Sequence, residues 1–232
     1  MALSVELIDV YGPRLTAVNL GARSGALTAI HGASGAGKSA IVRLVCGLER
    51  PDSGAVLLAG RDISSSSGRQ LRRLQRNMAV MLPGGADNVG GLFASVSVVE
   101  NITFPLRASG HVAARRIGSV AAEYLVRAGL GAYATEPVDS LSPVQRRRLA
   151  LARTLAMHAP LIVLDDLDPS GGPGEADIIC QLIEQDRDER ANTYLVTTRS
   201  GGLANRLADQ VVTLEEGRVV ETADVSGALA PL

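Results

Sequence analysis

Gly32-Ala33-Ser34-Gly35-Ala36-Gly37-Lys38-Ser39 fits the phosphate-loop pattern G-x-x-x-x-G-K-[ST] at every specified position. Just upstream, Leu27 to Ile30 is a short apolar run that predicts a buried strand. Just downstream, Ala40-Ile41-Val42-Arg43-Leu44-Val45 predicts a helix with Ile41, Leu44 and Val45 on one face. A strand, a glycine loop and a helix form the context in which backbone N–H groups wrap phosphates at the positive end of the helix. Lys38 would reach the β- and γ-phosphates, and the Ser39 hydroxyl would join a Mg²⁺ shell. Residues Gly32 to Ala40 are therefore expected to hold a nucleoside triphosphate with its Mg²⁺. A glycine-rich turn that matches by chance is the bland alternative, and flanks of the right type weigh against it.

Outward from this loop, composition sets the limits. The chain has 232 residues, 46% apolar, with few aromatics and no Trp. That suits one large domain, or a core with a subdomain. A net charge of −1 gives no global basic field for nucleic acid. The dense run Arg146-Arg147-Arg148 falls within a predicted helix and reads as a solvated face. Cys46 and Cys180 lie in apolar helical contexts without metal spacing, and read as buried thiols in a reducing compartment. The first residues lack the layout of a signal peptide, and no apolar run is long enough to cross a bilayer. These features predict a cytoplasmic chain whose membrane role, if any, comes through a partner.

Residues 3 to 31 alternate short apolar runs with turn residues, which predicts strands. Tyr11 is a candidate platform for a purine ring, because aromatic faces stack on bases at roughly 1–3 kcal/mol each. A half-buried strand tyrosine is the alternative that composition favours. Pro51-Asp52-Ser53-Gly54 is turn chemistry, Ala55 to Gly60 a strand, Leu71 to Leu74 part of a charged helix, and Met78 to Leu82 a strand. Residues 111 to 132 carry helical periodicity ending near Gly129. Leu161-Ile162-Val163-Leu164 is an apolar strand ending in Asp165-Asp166, so Asp165 is a candidate Mg²⁺ carboxylate. Ile178 to Ile183 predicts a helix, Thr193 to Thr197 a strand, and Gln210 to Val220 a closing hairpin.

Together the phosphate loop, Gly47-Leu48 with Pro51-Asp52-Ser53-Gly54, Leu141-Ser142 with Gln145, and Leu161 to Asp165 resemble the ATP-binding cassette of ABC transporters over nearly the whole chain. Val99-Glu100-Asn101-Ile102 with Pro105-Leu106 looks most like the cassettes of lipoprotein-release and macrolide-export systems, and of the related cell-division cassette. The resemblance implies an α/β P-loop NTPase core, about 1–82 and 155–232, with an antiparallel β portion and a helical subdomain at about 92–154, all one ABC ATP-binding domain spanning 1–232. It also implies ATP with Mg²⁺ bound between two cassettes, as a homodimer or heterodimer, and a transmembrane permease partner at the inner face of the membrane.

Several positions depart from the family pattern. Pro83 stands where the family has a glutamine that senses Mg²⁺ and the attacking water, and it offers neither side-chain polarity nor an N–H. Asn88 could supply an amide instead. Ser142-Pro143-Val144-Gln145 occupies the signature position, where glycines bring N–H groups to the γ-phosphate of the opposite subunit. Here the stretch reads as a capping box, serine at the N-cap and proline at N1, which favours a stable helix start. Ser142 and Gln145 remain nucleotide contacts by position, Ser142 a weak one. Asp166 replaces the glutamate that polarises water and is one methylene shorter. A displacement on the order of 1 Å can cost about a hundredfold in rate. Gly172 replaces the aspartate that links the two sites, and Thr198 replaces the histidine at the γ-phosphate. Threonine lacks the reach of an imidazole. His31 borders the loop and reads as a packed strand-end residue.

The nucleotide-holding parts are intact while five hydrolytic positions are altered. This predicts an ATP-binding cassette subunit of a membrane transport complex with weak or lost hydrolysis. A fully active transport ATPase is the alternative, and a soluble P-loop protein for repair or nucleotide phosphorylation comes last, because no sustained heptad run is present.

Overall fold

The computed structural model describes residues 3–83, 91–169, 171 and 173–225. The chain divides into two compact units, one of residues 1–80, 160–168 and 191–232, the other of residues 81–159 and 169–190.

The first unit is built on two sheets. One has the order β2-β1-β4-β5, from β1 (Val5–Gly12), β2 (Leu15–Ala22), β4 (Ser53–Leu58) and β5 (Arg61–Asp62), paired antiparallel throughout. Alternation accounts for β1: Val5, Leu7 and Val10 are buried while Glu6, Ile8 and Asp9 are exposed. The other sheet has the order β10-β9-β3-β8-β7-β6, from β3 (Leu27–His31), β6 (Met78–Met81), β7 (Leu161–Leu164), β8 (Thr193–Thr198), β9 (Gln210–Glu215) and β10 (Arg218–Asp224). β7, β8, β3 and β9 run parallel, and β10 closes the edge as an antiparallel hairpin with β9. β7 and β8 are buried at every residue, as strands covered on both faces must be. Helices α1 (Lys38–Val45), α2 (Gly68–Gln75) and α7 (Gly201–Leu207) belong to this unit.

Three distant turns converge at the edge of the phosphate loop. A Cβ on Gly217, in the β9–β10 turn, would lie 2.1 Å from the Arg14 carbonyl oxygen, and one on Gly37 would lie 2.9 Å from the same atom. The Gly217 N–H donates to the Ala36 carbonyl at 2.9 Å, and the Gly217 carbonyl accepts the Thr16 N–H at 2.8 Å. The tip of the β1–β2 hairpin, the phosphate loop and the β9–β10 turn are thus one packed junction.

The second unit is helical: α3 (Val98–Ser109), α4 (Ile117–Arg127), α5 (Pro143–Ala156) and α6 (Pro173–Glu189). α3, α4 and α5 pack on one another, and α6 packs on α5. The sequence reading leaves residues 169–190 in the core; here they group with the helices, because α6 lies along α5. α3 falls in the region expected to be helical but is not delimited in the sequence; its Ser97–Glu100 capping box is the signal that marks its start. The arginine run departs from a solvated face. Arg146 Nε donates to the Val138 and Leu141 carbonyls, and Arg148 Nε donates to Glu175 Oε2 at 2.7 Å. Both cysteines are buried and form no disulfide, and burial pushes the Cys46 thiol up to about 12.

Candidate functional site

The phosphate loop lies between β3 and α1. The Gly32 N–H donates to the Thr198 carbonyl at 3.3 Å, which anchors the loop entry to β8, the parallel neighbour of β3. Gly35 and Gly37 hold φ of 83° and 104°, a region that L side chains avoid. Gly37 is also the N-cap of α1, and a Cβ on Gly32 would lie 2.3 Å from the Leu214 carbonyl oxygen. Ala33, Ser34 and Gly35 are exposed, and nothing lies within 4 Å of a Cβ on Gly35. The result is a cradle open on one side, at the N-terminus of α1, where Ala40 and Ile41 already donate to the Gly37 carbonyl.

Lys38 is 8% exposed, and its ammonium donates to the Gly32 carbonyl at 2.6 Å and to the Ala33 carbonyl at 2.8 Å. Burial lowers its pKa, opposed by Asp168 and Asp166. Ser39 is exposed on the first turn of α1, beside the half-buried Ala40. Asp165 follows β7, is 2% exposed, and accepts the Thr197 hydroxyl at 2.5 Å. The same hydroxyl accepts the Asp166 N–H at 2.8 Å. An exposed hydroxyl on the loop and a buried carboxylate with a second lone-pair oxygen fit a hard cation shared with phosphate oxygens. Ser39 and Asp165 would hold Mg²⁺, which would neutralise phosphate charge. Among the described residues no cluster of His, Cys, Asp or Glu could hold a metal by itself.

Asp166 holds φ of 59°, and its carboxylate lies 3.8 Å from Arg199 Nε. Asp168 Oδ1 accepts the Thr198 hydroxyl at 2.6 Å and the Arg199 N–H at 2.9 Å, while Oδ2 accepts Arg199 Nε at 2.7 Å. Burial pushes the Asp168 carboxyl up, but the Thr198 hydroxyl and the Arg199 donors outweigh it and bring it to about 2. Thr198 is fully buried, and its hydroxyl also accepts the Ser200 N–H at 3.0 Å. That hydroxyl is thus occupied inside the loop, which departs from a γ-phosphate contact by Thr198. His31 Nε2 lies 3.2 Å from the Arg199 carbonyl oxygen, so the ring holds the neighbouring loop. Asp168 and Arg199 are the residues that sequence reasoning missed. They stand 31 positions apart, and no local pattern joins them.

Tyr11 is 42% exposed near the end of β1, one residue from the hairpin whose Arg14 carbonyl touches Gly37. Its backbone pairs with Ser53 of β4, and its carbonyl accepts the Asp52 N–H at 2.8 Å. Ser142 and Gln145 sit in the second unit at the start of α5. The Gln145 N–H donates to Ser142 Oγ at 3.2 Å, and the Ser142 N–H donates to Gln145 Oε1 at 2.9 Å. The capping box is formed, with Pro143 at the first helical position. Pro83 follows β6 and is exposed; Asn88 and Gly172 lie outside the described residues. Phe93 and Phe104 are exposed and meet edge to face at 5.5 Å.

The ABC transporter family profile matches residues 15–168. The chain is 33% identical over 213 residues to the methionine import ATP-binding protein MetN of Caulobacter vibrioides, covering 92% of this chain and 62% of that one. It is 34% identical over 202 residues to methionine import ATP-binding protein MetN 1 of Rhodococcus jostii, covering 87% and 58%. The chain thus spans about three fifths of the length of these curated relatives. These relatives are named for import, which corrects the likeness to release and export cassettes expected from the Val99–Leu106 block. Among solved structures, the ATP-binding cassette MJ0796, dimeric and bound to ADP and Pi, superposes with a TM-score of 0.82 at 25% identity, covering 96% of this chain and 99% of that one.

Proposed function

The chain belongs to the ABC transporter family, whose cassettes take ATP with Mg²⁺, and on that premise we propose that it is the ATP-binding subunit of a membrane transport complex with weak or lost hydrolysis. Nucleotide would be held between two cassettes, and the complex would include a transmembrane permease. The observation that carries the reading is the Lys38 ammonium, set 2.6 and 2.8 Å from the loop carbonyls inside a glycine-framed cradle beside Asp165. Lys38 grips the polyphosphate, Ser39 and Asp165 hold the cation, and Tyr11 receives the base.

Weak turnover follows from the residues where water would be activated. Asp166 is short by one methylene, its backbone is tied to Thr197, and its carboxylate lies 3.8 Å from Arg199 Nε. In α5, Pro143 lacks an N–H and Val144 adds bulk where the family presents glycines to phosphate. Relatives named for import favour an importing complex. A permease would find an apolar contact at the exposed Phe93–Phe104 pair. No helix among the described residues is long and apolar enough to cross a membrane, so the anchor would be that partner.

Steady-state phosphate release from the purified chain, alone and with its membrane subunit, tests this. Turnover near background and unchanged by Asp166→Asn is expected. Rapid turnover lost in Asp166→Asn would overturn weak hydrolysis and favour an active transport ATPase.

A further inference from the structure

Arg199 stands where two strands deliver the phosphate loop and its neighbouring carboxylates. β3 and β8 pair in register at His31 and Thr198, and the Gly32 N–H bonds the Thr198 carbonyl. Arg199 is therefore the next residue after the one that anchors the loop. Its main chain is held at both ends. The N–H donates to Asp168 at 2.9 Å, and the carbonyl lies 3.2 Å from His31 Nε2. The base of the guanidinium is fixed as well, with Nε donating to Asp168 Oδ2 at 2.7 Å.

What is left over is the fork. Nη1 and Nη2 make no hydrogen bond among the described residues, and the side chain is 56% exposed. A bidentate ion pair would use an edge of the planar guanidinium, with two parallel bonds to the carboxylate. Here only Nε and the backbone N–H meet Asp168, which leaves the donors of the two terminal amino groups to a ligand. Arg199 is also near enough to Lys38 for its charge to disfavour the ammonium there. The Lys38 ammonium and the Arg199 guanidinium thus act within one electrostatic neighbourhood, which suits a multiply charged anion.

We propose that Arg199 binds the γ-phosphate of the nucleotide through its terminal amino groups, with Asp168 and His31 as positioning residues that hold it ready. The proposal rests on the ATP-binding reading above. It assigns the γ-phosphate contact one residue beyond Thr198, whose own hydroxyl is occupied by Asp168 and Ser200. A fork fixed at its base loses little freedom on binding, which favours affinity. Lys38 serves the β- and γ-phosphates together, whereas Arg199 serves only the terminal one, so it discriminates ATP from ADP.

Calorimetric titration of the whole chain with MgATP and with MgADP tests the assignment without reference to turnover. Arg199→Ala should weaken ATP by about ten- to a hundredfold, the worth of charge-assisted hydrogen bonds, and leave ADP within about twofold. Asp168→Asn, which frees the base of the fork, should lose part of the same preference. Arg199→Lys, which keeps the charge but not the fork, should fall between Arg199→Ala and the wild type. An unchanged ATP-to-ADP ratio in Arg199→Ala, or equal losses of both nucleotides, would overturn the assignment while leaving nucleotide binding in place. Binding of neither nucleotide by the wild-type chain would overturn both readings. Thermal melting of each variant without nucleotide, with titrations run well below its midpoint, keeps a folding defect from imitating the result.

Discussion

Thr197 and Asp165 meet at adjacent strand ends in a buried hydrogen bond of 2.5 Å, donated by the hydroxyl. That hydroxyl also accepts the Asp166 N–H at 2.8 Å. One side chain therefore orients the candidate Mg²⁺ carboxylate and fixes the backbone of the residue after it. Thr197→Val keeps the shape and strips both bonds. We expect a loss of about 1–3 kcal/mol in stability, the cost of leaving buried polar groups unpaired. ATP affinity with Mg²⁺ should fall further than affinity in chelator. Urea unfolding and titrations with and without Mg²⁺ measure both, and Thr197→Ser should restore most of each.

At Gly37 conformation and crowding act together. Its φ is 104°, and an added Cβ would lie 2.9 Å from the Arg14 carbonyl oxygen and 3.0 Å from Leu15 Cδ2. Gly37→Ala should therefore lower stability by more than about 1 kcal/mol, the level at which a residue incompatible with left-handed backbone is felt. A melting curve without nucleotide reads it. Gly35→Ala is the control: its φ is 83° but its surroundings are open, so it should cost less.

Acid should act on the first unit through Asp168. Its carboxyl is depressed to about 2 from an unfolded value of 3.8. The unfolded chain therefore binds the proton first as pH falls. The stability Asp168 contributes is complete above about pH 4 and lost toward about pH 2. Asp168→Asn should flatten that part of the stability–pH curve, measured by denaturant unfolding at stepped pH.

His158 gives the second unit a different window. Burial, with help from Arg190 and Arg116, lowers its imidazole to about 4, and Nε2 has no partner in its buried place. The folded unit thus resists the proton that the unfolded chain takes up near pH 6.5. Stability should decline as pH falls from about 6.5 to about 4 and stop declining on this account below it. His158→Asn suits the left-handed φ of 52° at this position and should remove the slope.

Ser142 caps α5 with Gln145 returning the bond. Ser142→Ala should cost about 1 kcal/mol of stability. Ser142→Asp, an equally good cap, should leave stability near wild type. If Ser142 also meets phosphate, the aspartate should weaken ATP binding by charge repulsion while stability holds.

The sequence was most readable where chemistry is local. Eight residues name the phosphate loop, four name the cap of α5, and apolar runs name β3, β7 and β8. All of these depend on neighbours within a turn or two. α3 carries Pro105 within it, and its bounds became clear only from its packing on α4 and α5. The Asp168–Arg199 pair was unreadable for another reason: it joins ends of different strands, and only the parallel pairing of β7 and β8 brings them together. The arginines of α5 look solvent-bound in one dimension and turn inward once the Val138–Leu141 carbonyls and Glu175 are placed. Roles that depend on what lies across a fold stayed out of reach.

The junction of Arg14, Gly37 and Gly217 has a practical side. Hairpin tips normally accept inserted epitopes and tags, because their backbones are solvated and uncrowded. Here the β1–β2 and β9–β10 tips are pressed carbonyl against glycine, and Gly217 of the second is bonded to the loop at Ala36 and to Thr16 of the first. A label grafted into either tip would reach the nucleotide site through that contact, so an engineer should leave both hairpins alone.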